Sequence, residues 1–241
     1  MRTLFCDIES FSPVQLAKTG VYPYAEHPAF ELLLFGYSVD GGPVKVVDLA
    51  GGQSMPDEVL AALVDSGVVK WAHNAAFERV CLSAWLRTHH PELLDEGFLD
   101  PRQWRCTMIW SAYLGLPMSL DAVAAVLKLD VQKDSAGRKL IKQFCTPATP
   151  SVLNGGKHRN PPSADPTGWH ISLITTGATS KSNKPSTSGS HHFRCPMTSG
   201  TPTPSTKPST MPGFFSTTRS WTTLSPWMNT TATRHSLGHR H

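Results

Sequence analysis

Residues 2–10 read RTLFCDIES, an apolar run that ends on two acids, Asp7 and Glu9, with one residue between them. Aliphatic, aromatic and β-branched side chains in a run of this length point to a buried strand. Side chains at i and i+2 of a strand project from the same face, so both carboxylates would stand together and repel each other unless a cation lay between them. A strand end that has simply met water also carries acids. The pair therefore gains meaning only from partners elsewhere in the chain.

Working outward, FELLLFGYSVD (30–40) and GGPVKVVDL (41–49) read as a hairpin joined through Asp40-Gly41-Gly42. Pro56 to Ser66 has helical spacing with a proline in its first turn, GVVKWAHN (67–74) reads as a further strand, and Ala75 to Arg87 as the helix after it. From Cys106 the pattern turns helical, in CTMIWSAYLGL (106–116), LDAVAAVLKL (120–129) and AGRKLIKQF (136–144). The stretch TPATPSVLNGGKHRNPPSADP (146–166) is a proline- and glycine-rich loop. Strands first, one strand-helix crossover, then helices: the expectation is an α/β sheet covered by helices.

Within KWAHNAAFERV (70–80), Asn74 falls at the strand end and Glu78 one helical turn later. Taken alone, Glu78 is an acid on an exposed helix face. If its helix starts at the sheet edge that carries Asp7 and Glu9, three carboxylates converge.

The 241 residues are uneven in composition. Met1 to His170 carries 15 Lys plus Arg against 18 Asp plus Glu, whereas Ile171 to His241 has seven basic residues and no acid. The formal net charge of +4 thus comes from the last third. That third is about 40% Ser plus Thr and rich in proline, a composition that buries too little apolar surface to offset the entropy of ordering, so a disordered tail is expected from residue 170 to 241. Five cysteines without C-x-x-C spacing suggest free thiols rather than a disulfide framework or a structural zinc site. No signal peptide or run of roughly 18 apolar residues is present, which leads to the expectation of a cytoplasmic protein without a membrane partner.

DIES followed some 65 residues later by HNAAFE resembles the first two motifs of the DEDD 3′-5′ exonucleases. Together with GVYPYAEHPAFELLLFGYSVDGGPVKVVDL, WRCTMIWSAYLGLPMSLDAVAAVLKL and GRKLIKQFC, the text from Met1 to about Trp169 resembles the N-terminal exonuclease domain of phage-type family A DNA polymerases. The resemblance implies a ribonuclease H-like mixed sheet over residues 1–169. It implies that Asp7, Glu9 and Glu78 are catalytic and metal-binding, with Asp7 bridging two Mg²⁺ or Mn²⁺ ions, and that Asn74 and Phe77 shape the junction near the substrate's 3′ end. Glu78 departs from the pattern, since most of the superfamily has Asp there. The implied partner is the 3′ end of single-stranded DNA or a primer terminus, and the implied location a bacterial or phage-infected cell.

The family's third motif, Y-x-x-x-D, supplies a tyrosine that positions the attacking water and a fourth acid. In its place stands ISLITTGATSKSNKPSTS, which has neither. If each codon is formed from the third base of one codon and the first two of the next, Ile174 to Ser186 reads as YNRRDVEVEQAI. The same shift turns HHFRCPMTSG into a possible PFPVPDDEW and PSTKPSTMPG into a possible LDQAINDAG, both resembling the family's next segments. A frameshift near Thr167 to His170 is therefore expected, with the third motif and the polymerase region lost behind it and activity impaired. Two other readings stand beside this one: a catalytically inactive nucleic-acid-binding module, and a DEDD-type ribonuclease. His191, His192 and Cys195 are then accidental neighbours rather than metal ligands. Lys157 and Arg159 read as a solvated loop, and Trp71, Trp104 and Trp110 as core residues.

Overall fold

The computed structural model describes residues 2–127 and 135–182. Strand β1 (Arg2–Phe11) runs through the middle of a five-stranded sheet of order β3-β2-β1-β4-β5. It pairs antiparallel with β2 (Glu31–Val39), which pairs antiparallel with β3 (Lys45–Asp48). On its other side it pairs parallel with β4 (Val68–Ala72), which pairs parallel with β5 (Trp104–Cys106). A meander followed by parallel crossover strands beside the first is the ribonuclease H-like arrangement, and the α/β expectation holds. Strand β5 has only three residues and falls where the sequence was read as turning helical.

Two short helices, α1 (Leu16–Thr19) and α2 (Val21–Ala25), link β1 to β2. Helix α3 (Asp57–Val64) places Asp57 and Glu58 in its first turn, where the positive end of the helix dipole favours them. Helix α4 (Ala75–His89) follows β4, and α5 (Thr107–Tyr113), α6 (Leu120–Val126), α7 (Ser135–Phe144) and α8 (Pro166–Ser182) complete the described chain.

Residues packed on the sheet divide into two clusters, and the alternation of the strands explains the division. Leu4, Cys6 and Ile8 of β1, Phe35 of β2 and Val47 of β3 join one cluster with Val59, Leu63, Val80, Leu82 and Leu86 of α3 and α4. Their neighbours Leu34 and Val46 point the other way and meet Leu140, Phe144 and Trp169 of α7 and α8. The register shifts between Glu9 and Ser10: Glu9 lies opposite Leu34 but Ser10 opposite Leu32, leaving Leu33 as the extra residue. Such a bulge re-aims the strand, and Phe11 and Leu33 both join the second cluster.

The expected boundary at residues 169–170 falls inside α8, and the described part of the expected tail is helical rather than disordered. Pro166 occupies the first turn, where its missing N–H costs nothing. The Asp165 carboxylate accepts from the Gly168 N–H at 2.8 Å and fixes the helix start. Leu173 packs against the second cluster and Thr176 is buried. Averaging composition over the whole last third had hidden Ile171, Leu173 and Ile174, and no proline follows Pro166 until Pro185. Residues 183–241 lie outside the described residues, and with them His191, His192, Cys195 and the remainder of the tail.

Candidate active site

Asp7 and Glu9 leave β1 on the same face, opposite to that of Cys6 and Ile8. Gly36, the residue across from Asp7, has no side chain to crowd it. Burial pushes the Asp7 carboxyl well above the usual carboxylate range, and the charge of Glu9 pushes it further. Burial likewise raises Glu9 to about 7, while a hydrogen bond from the Cys145 thiol pulls it down.

Glu78 comes from the first turn of α4, and the residue that starts this helix is Asn74, with φ 72° and ψ 46°. Asp40 and Asn74 are the two non-glycine residues with positive φ among the described residues, and short polar side chains tolerate that region best. The Asn74 carbonyl accepts from the Phe77 N–H at 2.8 Å, so the turn points Glu78 inward. Glu78 is 3% exposed, and its Oε2 is buried without a hydrogen-bond partner. Its carboxyl is pushed well up, first by burial, then by the charge of Asp7, with Glu9 contributing less. The three acids named from the sequence therefore act on one another electrostatically. Among the described residues, however, no three His, Cys, Asp or Glu side chains stand close enough together to hold an ion as they are.

The donor set nonetheless suits a hard divalent cation: carboxylate oxygens, mutual repulsion, and one oxygen with nothing to accept from. A cleft of ≈ 570 Å³ opens beside Glu9, lined also by Ser10, Val14, Tyr24, Phe77 and Cys145. Phe77 thus borders the site, tilted against the Tyr24 ring at 6.0 Å. Asn74 does not line the cleft and acts on the backbone of the junction. A second, narrow space on the other side of Glu9 is lined by Leu140, Phe144, Trp169, Ser172, Thr175 and Thr176. Helix α8 therefore stands where a third motif would be expected, carrying hydroxyls in place of an acid.

Some residues have roles that the sequence did not announce. Cys145, just past α7, places Sγ 3.5 Å from Glu9 Oε2. His73 bonds the Thr107 hydroxyl through Nδ1 at 3.0 Å and the Met118 carbonyl through Nε2 at 2.9 Å, tying the β4–α4 junction to α5 and the loop after it. No spacing rule marks either pair, because each joins segments far apart in the chain. Arg159, read as a loop residue, is paired with Glu31 and lies over the Phe11 ring. Trp104 is buried, whereas Trp71 and Trp110 are half-buried and pack edge-on against each other at 4.5 Å. Cys6, Cys81, Cys106 and Cys145 are free thiols, and no helix among the described residues is long and apolar enough to cross a membrane.

No family profile matches the chain. Two solved structures are similar at a TM-score of 0.37: NrnC from Brucella melitensis with bound Mg²⁺ (17% identity, 55% of this chain and 57% of that one), and the apo form of a nuclease (14% identity, 75% and 67%). At that score the likeness carries no weight for the fold or the site. In sequence, the chain is 50% identical over 169 residues to a DNA polymerase of Bacillus phage SP02, a match that covers 70% of this chain and 25% of the polymerase. This chain is thus a relative of a phage DNA polymerase, and it spans about a quarter of that protein's length.

Proposed function

We propose that the chain is the 3′-5′ exonuclease region of a phage-type DNA polymerase, acting on the 3′ end of single-stranded DNA or a frayed primer terminus. The observation that supports this reading is the buried, unpartnered Oε2 of Glu78, on a helix about 70 residues beyond β1, whose carboxyl is raised by burial and by the charges of Asp7 and Glu9. Asp7, Glu9 and Glu78 would hold divalent cations, Mg²⁺ or Mn²⁺. Such ions supply an activated water and stabilise the leaving 3′ oxygen in an in-line displacement. The chain's own contribution is to bury Glu78, to set Asp7 and Glu9 on one face of β1, and to leave the cleft beside Phe77 open for a nucleotide.

The reading includes a change of frame near residue 168. Two facts support it: the sequence match spans 169 residues, the length of Met1 to Trp169, and no acid follows Asp165. Read in the shifted frame, the tyrosine falls at Ile174–Thr175 and the aspartate at Ala178–Thr179, four residues later. Thr175 borders the narrow space beside Glu9. Lack of a fourth acid also favours a second reading, a nucleic-acid-binding module without turnover.

A 5′-labelled single strand incubated with Mg²⁺ or Mn²⁺ separates the two. Stepwise shortening from the 3′ end by the frame-restored exonuclease region, lost in its Asp7→Ala variant, is the expected result. Strand binding without shortening in the frame-restored protein would rule out the enzyme reading.

A further inference from the structure

Glu9 borders both spaces of the site, and so do Ile141 and Cys145, of which only Cys145 carries a hydrogen-bonding side chain. Cys145 lines the open cleft and the narrow space alike, and its Sγ is 3.5 Å from Glu9 Oε2. Glu9 carries the other carboxylate of the β1 pair and lies where the strand register shifts, opposite Leu34 and next to Ser10, which lies opposite Leu32. A carboxylate held in place before a cation arrives binds it better than one that must first be ordered.

The backbone of Cys145 is well anchored. Its N–H closes the last turn of α7 onto the Ile141 carbonyl at 2.8 Å. The preceding residue, Phe144, is 1% exposed and packs edge-on against Trp169 at 5.0 Å. Asn160 donates to the Gln143 carbonyl at 2.9 Å, and the Thr146 hydroxyl donates to the Lys142 carbonyl. A donor on so fixed a base can orient a neighbour instead of following it.

We propose that Cys145 is a positioning residue for the metal site: its thiol donates to Glu9 Oε2 and holds that carboxylate in the orientation that receives a divalent cation. The inference rests on the reading of Glu9 as a cation ligand. It assigns no ligation to the sulfur.

The test uses the full chain and Mn²⁺ as probe, with free Mn²⁺ read by electron paramagnetic resonance and folding of each variant checked by near-ultraviolet circular dichroism. Cys145→Ala should weaken Mn²⁺ binding roughly 10-fold, the lower end of what outer-shell partners contribute to metal affinity. Cys145→Ser, which keeps a donor, should stay within about twofold of the unaltered chain on the same argument. Without metal, urea unfolding of Cys145→Ala, Glu9→Ala and the double variant should show a non-additive pair. Unchanged Mn²⁺ affinity in Cys145→Ala would overturn the positioning role alone, as would a Cys145→Ser variant as weak as Cys145→Ala, since packing would then be the cause. Absence of Mn²⁺ binding by the unaltered chain would instead overturn the cation reading of Glu9 and this role with it.

Discussion

Glu78 shows at the residue scale how a site can be built against stability. Its Oε2 is buried with no partner, and burial raises all three carboxyls, the charge of Glu9 adding to Asp7 and the charges of Asp7 and Glu9 adding to Glu78. Folded-state carboxyls with raised pKa bind more protons than the unfolded chain does, so stability falls as pH rises through the window between the two values. For Glu9 that window runs from 4.5 to about 7. In EDTA the melting temperature should therefore drop between about pH 5 and about pH 7.5, and Glu9→Gln should lessen the drop. His73, whose ring is lowered by burial, works in the opposite direction below 6.5, which is why the comparison with Glu9→Gln is needed. A drop that is the same in both proteins would remove Glu9 from the account. Added Mg²⁺ should raise the melting temperature most near neutral pH, and Asp7→Ala should abolish that rise while leaving the metal-free protein folded. A Mg²⁺ response that survives Asp7→Ala would take Asp7 out of the site.

At the scale of elements, α8 is the informative one. Trp169 is 7% exposed, meets Phe144 edge-on, and donates from Nε1 to Asp48 Oδ2 at 2.9 Å. Trp169→Ala removes a large buried ring and a hydrogen bond together and should cost about 3–5 kcal/mol in urea unfolding. A loss below about 1 kcal/mol, the size of an ordinary surface change, would mean that α8 does not hold to the sheet. Amide exchange gives a second measurement: the N–H groups of Trp169 to Thr176 should be protected, whereas free exchange there would dissolve the helix into the expected tail. The first dozen residues of the stretch 170–241 carry most of its aliphatic side chains, which a composition averaged over the whole stretch hides. Strand β5 went unread for a different reason: three residues are too few for any periodicity, and its strand character depends on the edge that β4 offers it.

At the scale of the whole molecule, the proposed reading gives Asp7, Glu9 and Glu78 three of four acid places and leaves the fourth without an acid, since none follows Asp165. A positioned catalytic group is commonly worth about 10² to 10⁴ in rate. Restoring the reading frame near Thr167 to His170 should raise single-strand shortening by about that factor at equal protein concentration and saturating Mg²⁺. Equal rates for the two proteins would show that the third motif is dispensable here or is replaced by another group.

The succession of the first four strands and the helix after β4 were legible in the chain, because alternation and a proline or glycine break are local signals that read the same in isolation. What the tertiary structure alone decided is the surroundings of the acids Asp7, Glu9 and Glu78. The bulge after Glu9 and the Cys145 thiol against Glu9 each join segments separated by tens to more than a hundred residues. Such contacts form only once the sheet has brought its strands into register and α7 has packed on it. No spacing along the chain encodes them, since their energy comes from burial and proximity in space.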